Sequence, residues 1–170
     1  MKRRAGFTLI EILVVLFIVS IMTGIVVARL PRFSKTGDLD TEARRLQQLL
    51  GMAKQDALLE ANEYGFKPEH TGYRFYIYDD AAQKWTPLAD RPFQPRQLED
   101  GIQLDAQVED TDLKLGDSKN DKAVPPILLL SSGETTPFQL TLSLPAEHLS
   151  RTLVADGYGA FEWQDETGTQ

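Results

Sequence analysis

Cysteine is absent from these 170 residues, which removes disulfides, thiol nucleophiles and cysteine–zinc sites at the outset. Histidine is nearly absent. His70 and His148 stand far apart in loop-like surroundings without a metal-spaced partner, so both read as surface residues. Positive charge is scarce over most of the chain: from Asp38 onward, 12 basic residues face 24 acidic ones, a net −12. A domain of that sign is repelled by phosphate backbones, which argues against nucleic-acid binding. No glycine-rich phosphate loop occurs. Ser131, Ser132 and Ser143 lack the strand–turn–helix setting of a nucleophile elbow, and Ser131-Ser132-Gly133 reads better as a turn. Nothing selects a catalytic pair among the carboxylates, and no cofactor or metal site is expected. The acidic string Glu109, Asp110, Asp112, Asp117 and Asp121 invites calcium but lacks the spacing and bidentate glutamate of a defined loop.

What the chain does have is one apolar run near its start. Residues 5–19 read AGFTLIEILVVLFIV, with Glu11 as the single charge and Lys2-Arg3-Arg4 just before. A charge at membrane depth costs roughly 2.5–3.5 kcal/mol on insertion scales, so a lone acid there is a functional hypothesis by default. From Ile12 to Ala28 no charge occurs, a length just sufficient to span a bilayer. A removable secretory signal cleaved after Ala28 competes with this reading, although Glu11 and the length of the run count against it. Arg29, Arg32 and Lys35 follow the run, so the positive-inside rule gives only a weak preference for a cytoplasmic N-terminus.

Gly6-Phe7-Thr8-Leu9-Ile10-Glu11, after a short basic leader and before an apolar helix, resembles the class III signal of type IV pilins and type II secretion pseudopilins. The resemblance implies that a prepilin peptidase cuts after Gly6 and methylates the new amino terminus of Phe7. The leader would be lost and the apolar helix kept, with the N-terminus inside. An ammonium at Phe7 lies four residues from Glu11, on one helical face. At 4 Å and an effective dielectric near 20, the two charges attract by about 4 kcal/mol, which roughly offsets insertion of the acid. Two readings stay open: the pair neutralises itself within one chain, or, as the family implies, Glu11 reaches the amine of a neighbouring subunit and sets assembly register.

Beyond the run, Pro31 to Gly37 is rich in helix breakers, and Asp38 or Asp40 is placed to cap a restart. Leu39, Ala43, Leu46, Leu50, Ala53 and Ala57 then alternate spacings of four and three, predicting an amphipathic helix to about Asn62. After Gly65 the period changes to two. Strands are expected over Tyr73–Tyr78 and, past a turn at Asp79-Asp80, over Lys84–Pro87. Ile102 to Val108 and Phe138 to Leu144 alternate in the same way, and Ile127–Leu130 has the look of a central strand. Asp156-Gly157-Tyr158-Gly159 signals a hairpin between Arg151–Val154 and Ala160–Trp163. Asp110–Val124 reads as a long surface loop. Trp85, Phe93, Tyr158 and Trp163 are either core residues or interface anchors.

The predicted fold is α+β: a membrane-spanning helix and an amphipathic helix, then an antiparallel β-sandwich or twin-sheet domain. The divisions are 1–6 as leader, 7–30 as transmembrane and assembly helix, 31–62 as kink and amphipathic helix, and 63–170 as a periplasmic β domain. Gly72-Tyr73-Arg74-Phe75, Trp85-Thr86-Pro87-Leu88 and the stretch from Leu130 to Phe138 are similar to the H-type minor pseudopilins, the GspH/FimT group. That resemblance implies a non-enzymatic subunit in the inner membrane of a Gram-negative bacterium. It would join other minor pseudopilins and the major pseudopilin near a filament tip, beside an inner-membrane secretion platform, and help export folded proteins. The alternatives are a minor pilin of a type IV pilus and, more distantly, a periplasmic binding domain with a conventional leader. A membrane-anchored hydrolase would need polar groups converging in a pocket.

Overall fold

The computed structural model describes residues 9–29, 35–113, 115 and 124–164, with side chains described for all of these except 23–29 and 35–37. The chain divides into two compact units, residues 1–34 and 35–170. In the first, helix α1 runs from Leu9 to Arg29. Judged on the described residues, no helix is long and apolar enough to cross a membrane, but the described side chains of α1 end at Met22. The α1 backbone continues to Arg29, and 21 residues at 1.5 Å each give about 32 Å, matching a hydrocarbon core of about 30 Å. Residues 30–34, where most of the expected Pro31–Gly37 break falls, lie outside the described residues.

The second unit opens with α2 (Lys35–Glu60), rich in the strong helix formers leucine, alanine, glutamine and arginine. It starts before Asp38 and Asp40, so neither caps it as expected. Asp38 lies in the first turn, where an acid favours the positive end of the helix dipole. Asp40 instead accepts a hydrogen bond from Arg151 Nε at 3.1 Å. The helix ends with Ala61 in the left-handed region (φ 51°), and the amide of Asn62 returns to the carbonyl of Ala57 at 3.2 Å. This is a Schellman-type stop that reverses the chain into the sheet.

Two antiparallel five-stranded sheets complete the unit. The first contains β1 (Tyr64–Glu69), β2 (Gly72–Asp79), β3 (Lys84–Pro87), β4 (Arg96–Gln97) and β7 (Ile127–Leu129), in the order β3-β2-β1-β7. β4 pairs Gly72 and Tyr73 at the start of β2, and β3 pairs Tyr76 to Asp79 at its end. The second contains β5 (Gln103–Val108), β6 (Thr111–Asp112), β8 (Phe138–Leu144), β9 (Leu149–Ala155) and β10 (Glu162–Gln164), in the order β10-β9-β8-β5-β6.

Strand β8 carries the clean inside–outside alternation its sequence announces: Phe138, Leu140, Leu142 and Leu144 are buried and the residues between them half-buried. β3 has the bounds expected of it, and β9 and β10 pair as expected, through a connection longer than a two-residue turn. Two expectations need correction. Strand β7 lies at a sheet edge rather than its centre, because β1 is the one strand that pairs along it and its other side meets only the 134–136 turn, through an isolated bridge from Leu129 to Thr135 and the Thr136 amide on the Leu128 carbonyl. The central place belongs to β1, whose Gly65 and Pro68 hide its strand character; Pro68 sits opposite Tyr73 near the hairpin end. Of the expected loop after Asp110, Thr111–Asp112 is a short strand on β5, and 114 and 116–123 lie outside the described residues.

Helix α2 touches β1 and β7 of one sheet and β8 and β9 of the other, so one helix covers parts of both. Its expected stripe of Leu39, Ala43, Leu46, Leu50, Ala53 and Ala57 is buried throughout. An aromatic group fills the first sheet's inner face, with Phe66–Phe75 and Phe75–Phe93 ring centroids each 5.1 Å apart. Phe93 is thus a core residue. Because Leu46 is fully buried, Leu46→Ala should lower stability by about 2–5 kcal/mol. Urea denaturation of the full chain in detergent measures this, and a loss well under 1 kcal/mol would show that α2 is not integral to the core.

Candidate assembly site

Helix α1 exposes apolar side chains around its whole circumference. Leu9, Phe17 and Met22 are 81%, 65% and 66% exposed, and the residues between them are open as well. A helix apolar all round has no stable resting place in water and needs lipid or other apolar helices around it. Its one described side-chain charge is Glu11, exposed in the first turn, where the helix dipole favours an anion. The other two expected residues, Gly6 and Phe7, lie outside the described residues, and so does the expected contact between Phe7 and Glu11.

In the second unit the polar interactions serve to fasten α2. Gln47 Nε2 donates to the carbonyl of Phe161 at 2.8 Å, and Gln47 Oε1 accepts from Trp163 Nε1 at 2.8 Å. Lys54 Nζ donates to the carbonyl of Gly159 at 2.7 Å. Asp156 accepts amide hydrogen bonds from Tyr158 and Gly159, and these hold its carboxyl below the usual range. Trp85 is half-buried against Tyr78, which leaves Tyr158, 77% exposed, as the open member of the aromatic candidates.

One buried group was not among the expected residues. Glu42, 3% exposed, accepts from the Tyr73 hydroxyl at 2.9 Å and from Arg96 Nε and Nη2 at 3.2 and 2.9 Å. Burial, then the Glu42 charge, pushes the Tyr73 phenol up from its ordinary value. The hydrogen bond to Glu42 raises Arg96. A signal existed: Glu42 falls three residues after Leu39 and four before Leu46, so a charge sits within the apolar stripe. Its carboxylate is committed to three donors and is not poised to move protons.

Elsewhere, no catalytic geometry forms among the described residues. His70 Nδ1 and Asp105 lie 3.7 Å apart, both exposed. His148 has left-handed backbone after the short turn Pro145–Glu147. Ser131 bonds Glu63 through its amide and hydroxyl, in a turn as expected. Among the described residues no cluster of acidic or histidine side chains converges to hold a metal ion. Asp112 accepts from Gln107, and Asp117 and Asp121 lie outside the described residues.

Residues 1–27 match the family profile described as the prokaryotic N-terminal methylation motif. Residues 42–159 match that of the type II transport protein GspH. The chain belongs to the GspH family. Type II secretion system protein H of Pseudomonas aeruginosa is 37% identical over 166 residues, covering 93% of this chain and 94% of that one. Its counterpart in Aeromonas hydrophila is 29% identical, covering 96% of each. The fold is similar to that of the minor pseudopilin EpsH of Vibrio cholerae, with a TM-score of 0.64 and 20% identity over 81% of this chain and all of that one. It is also similar to GspH of Escherichia coli, with a TM-score of 0.61 and 20% identity over 83% and 98%. The H-type resemblance read from Gly72-Tyr73-Arg74-Phe75 and Leu130–Phe138 is borne out. This GspH-family chain is a type II secretion minor pseudopilin, and its methylation motif makes it membrane-anchored.

The buried trio predicts a pH dependence. Tyr73 resists ionisation when folded, so its contribution to stability is intact below the ordinary tyrosine value near 10 and is lost as pH rises beyond it. Between pH 10 and 11.5 the chain should lose roughly 1 kcal/mol per pH unit more than Tyr73→Phe. Denaturation across that range reads the difference, and parallel curves would refute it.

Proposed function

We propose that this chain is a non-enzymatic structural subunit of the type II secretion pseudopilus, placed near the filament tip, where it helps drive folded proteins across the outer membrane. The observation that carries the reading is α1, a helix apolar on every side with one acid in its first turn. Before assembly it lies once across the inner membrane of a Gram-negative bacterium, N-terminus in the cytoplasm and the 63–170 domain in the periplasm. The prepilin peptidase removes residues 1–6 after Gly6 and methylates Phe7. The secretion platform then moves the helix from lipid into a bundle of like helices. There Glu11 faces the Phe7 ammonium of a neighbour. Since lipid and packed helices are comparably apolar, the transfer gains little from hydrophobicity itself. Packing and the charge pair of about 4 kcal/mol then decide register. Other minor pseudopilins and the major pseudopilin are its partners.

The match of residues 42–159 to a secretion family favours this over a type IV pilus. Mass spectrometry of the mature protein should find a methylated Phe7 at the amino terminus, and Gly6 replaced by a bulky residue should leave the precursor uncut. A mature start at Arg29 would instead identify a discarded secretory signal. Glu11→Leu should enter the membrane as well as the parent chain but be incorporated into filaments several-fold less, as read by co-purification with the major pseudopilin. Equal incorporation would mean that the acid has no register role.

A further inference from the structure

The basic residues of the acidic second unit are unevenly placed. Of the 12 in a region of net −12, Arg44, Arg45, Arg91 and Arg96 line two adjoining clefts between α2 and the 91–99 segment. One, of about 440 Å³, is walled by Arg45, Leu49, Tyr73, Arg91, Pro92 and Arg96 among others, and no carboxylate lines it. The other, about 510 Å³, shares Arg45 and Arg96 and adds Arg44, but Asp38, Glu42 and Glu99 line it as well, so the unbalanced positive charge belongs to the first cleft. Arg44, Arg45 and Arg91 are exposed, and among the described residues none has an ion-pair partner. Arg96 is different: Glu42 fixes its Nε and Nη2, while Nη1 makes no bond within the described residues.

Across the first cleft Arg45, Arg91 and Arg96 repel one another, and apart from Glu42 bonded to Arg96 no carboxylate there, among the described residues, offsets the repulsion. A guanidinium presents paired donors that fit a carboxylate bidentately. Here one is held rigid by Glu42 and others flank it, over a floor with the apolar surface of Leu49 and Pro92. We propose that this arginine cleft is the docking site for an acidic, carboxylate-bearing segment of an adjacent pseudopilin, a proposal that rests on the subunit reading above. Two acidic domains repel at their general surfaces, and a basic cleft that takes one partner loop offsets this while fixing orientation. An anionic membrane surface fits less well, because a broad sheet of charge would also meet the domain's many carboxylates. Arginine is enriched among the residues that anchor protein contacts energetically.

The test uses the full chain in its secreting host, with a photo-crosslinking residue at Gln94, which is exposed on the cleft wall, and separately at Val15 on α1. The Gln94 adduct should join another pseudopilin at a peptide containing Asp or Glu. Arg45→Glu/Arg91→Glu should reduce it by about tenfold or more, leaving the Val15 adduct intact as proof of folding and assembly. Lys84→Glu on β3 should change neither, and lysine at the crosslinked partner acid should restore the first in the double variant. A Gln94 adduct to phospholipid or to a peptide without acidic residues, or one insensitive to the arginine reversals, overturns the proposal. Absence of the Gln94 adduct alone overturns only the docking site. Absence of both adducts in the unmutated chain overturns the subunit reading and the docking site with it.

Discussion

The second unit depends on one helix covering two sheets. Neither sheet buries its inner face on its own. The first has β7 at one edge and the short β3 and β4 at the other, and the second presents the leucines of β8 on one side only. Helix α2 supplies Leu39, Leu46 and Leu50 to the shared core, and alanine at 43, 53 and 57 lets its backbone approach both sheets closely. Fixing that helix fixes the angle between the sheets. Its polar anchors therefore sit along its length rather than at its ends: Asp40 to Arg151, Glu42 to Tyr73 and Arg96, Gln47 to Phe161 and Trp163, and Lys54 to Gly159.

The same helix links packing to function. It comes after α1 in sequence, so any force drawn through α1 reaches the β domain through α2. Multiple long-range anchors suit an element that transmits load, because each must break before the helix can peel from its sheets. The buried Glu42 is the least replaceable of them. A charge taken from water is tolerated only while its partners remain, so removing one leaves the others unsatisfied. Holding Arg96 rigid also presents a preorganised guanidinium at the surface, where a long flexible side chain would otherwise lose rotamer freedom on binding. Stability and recognition thus meet at one residue.

Legibility from sequence tracked the regularity of each segment. The stripe of α2, the bounds of β3 and the alternation of β5 and β8 were readable because burial on one face repeats at a fixed period. β1 was missed because Gly65 and Pro68 are poor strand formers, and only pairing on both edges holds them extended. β7 was placed centrally because a continuous apolar run cannot reveal how many neighbours it has. The aromatic candidates could not be sorted. Phe93 and Tyr158 stand in equally turn-rich sequence, yet one is packed on Phe75 and the other open to solvent.

Chain order alone determined the leader-like start, the single acid in an apolar helix and the acidic sign of the domain beyond it. Those features are local, and membrane affinity, peptidase recognition and net charge act on contiguous residues. Tertiary structure alone decided the union of Glu42, Tyr73 and Arg96, which stand 31 and 54 positions from the acid. It also gathered arginines from α2 and the 91–96 segment into a single cleft. Such groupings depend on how strands pair and where a helix crosses them, and no periodicity in the sequence encodes the distance between residues so far apart.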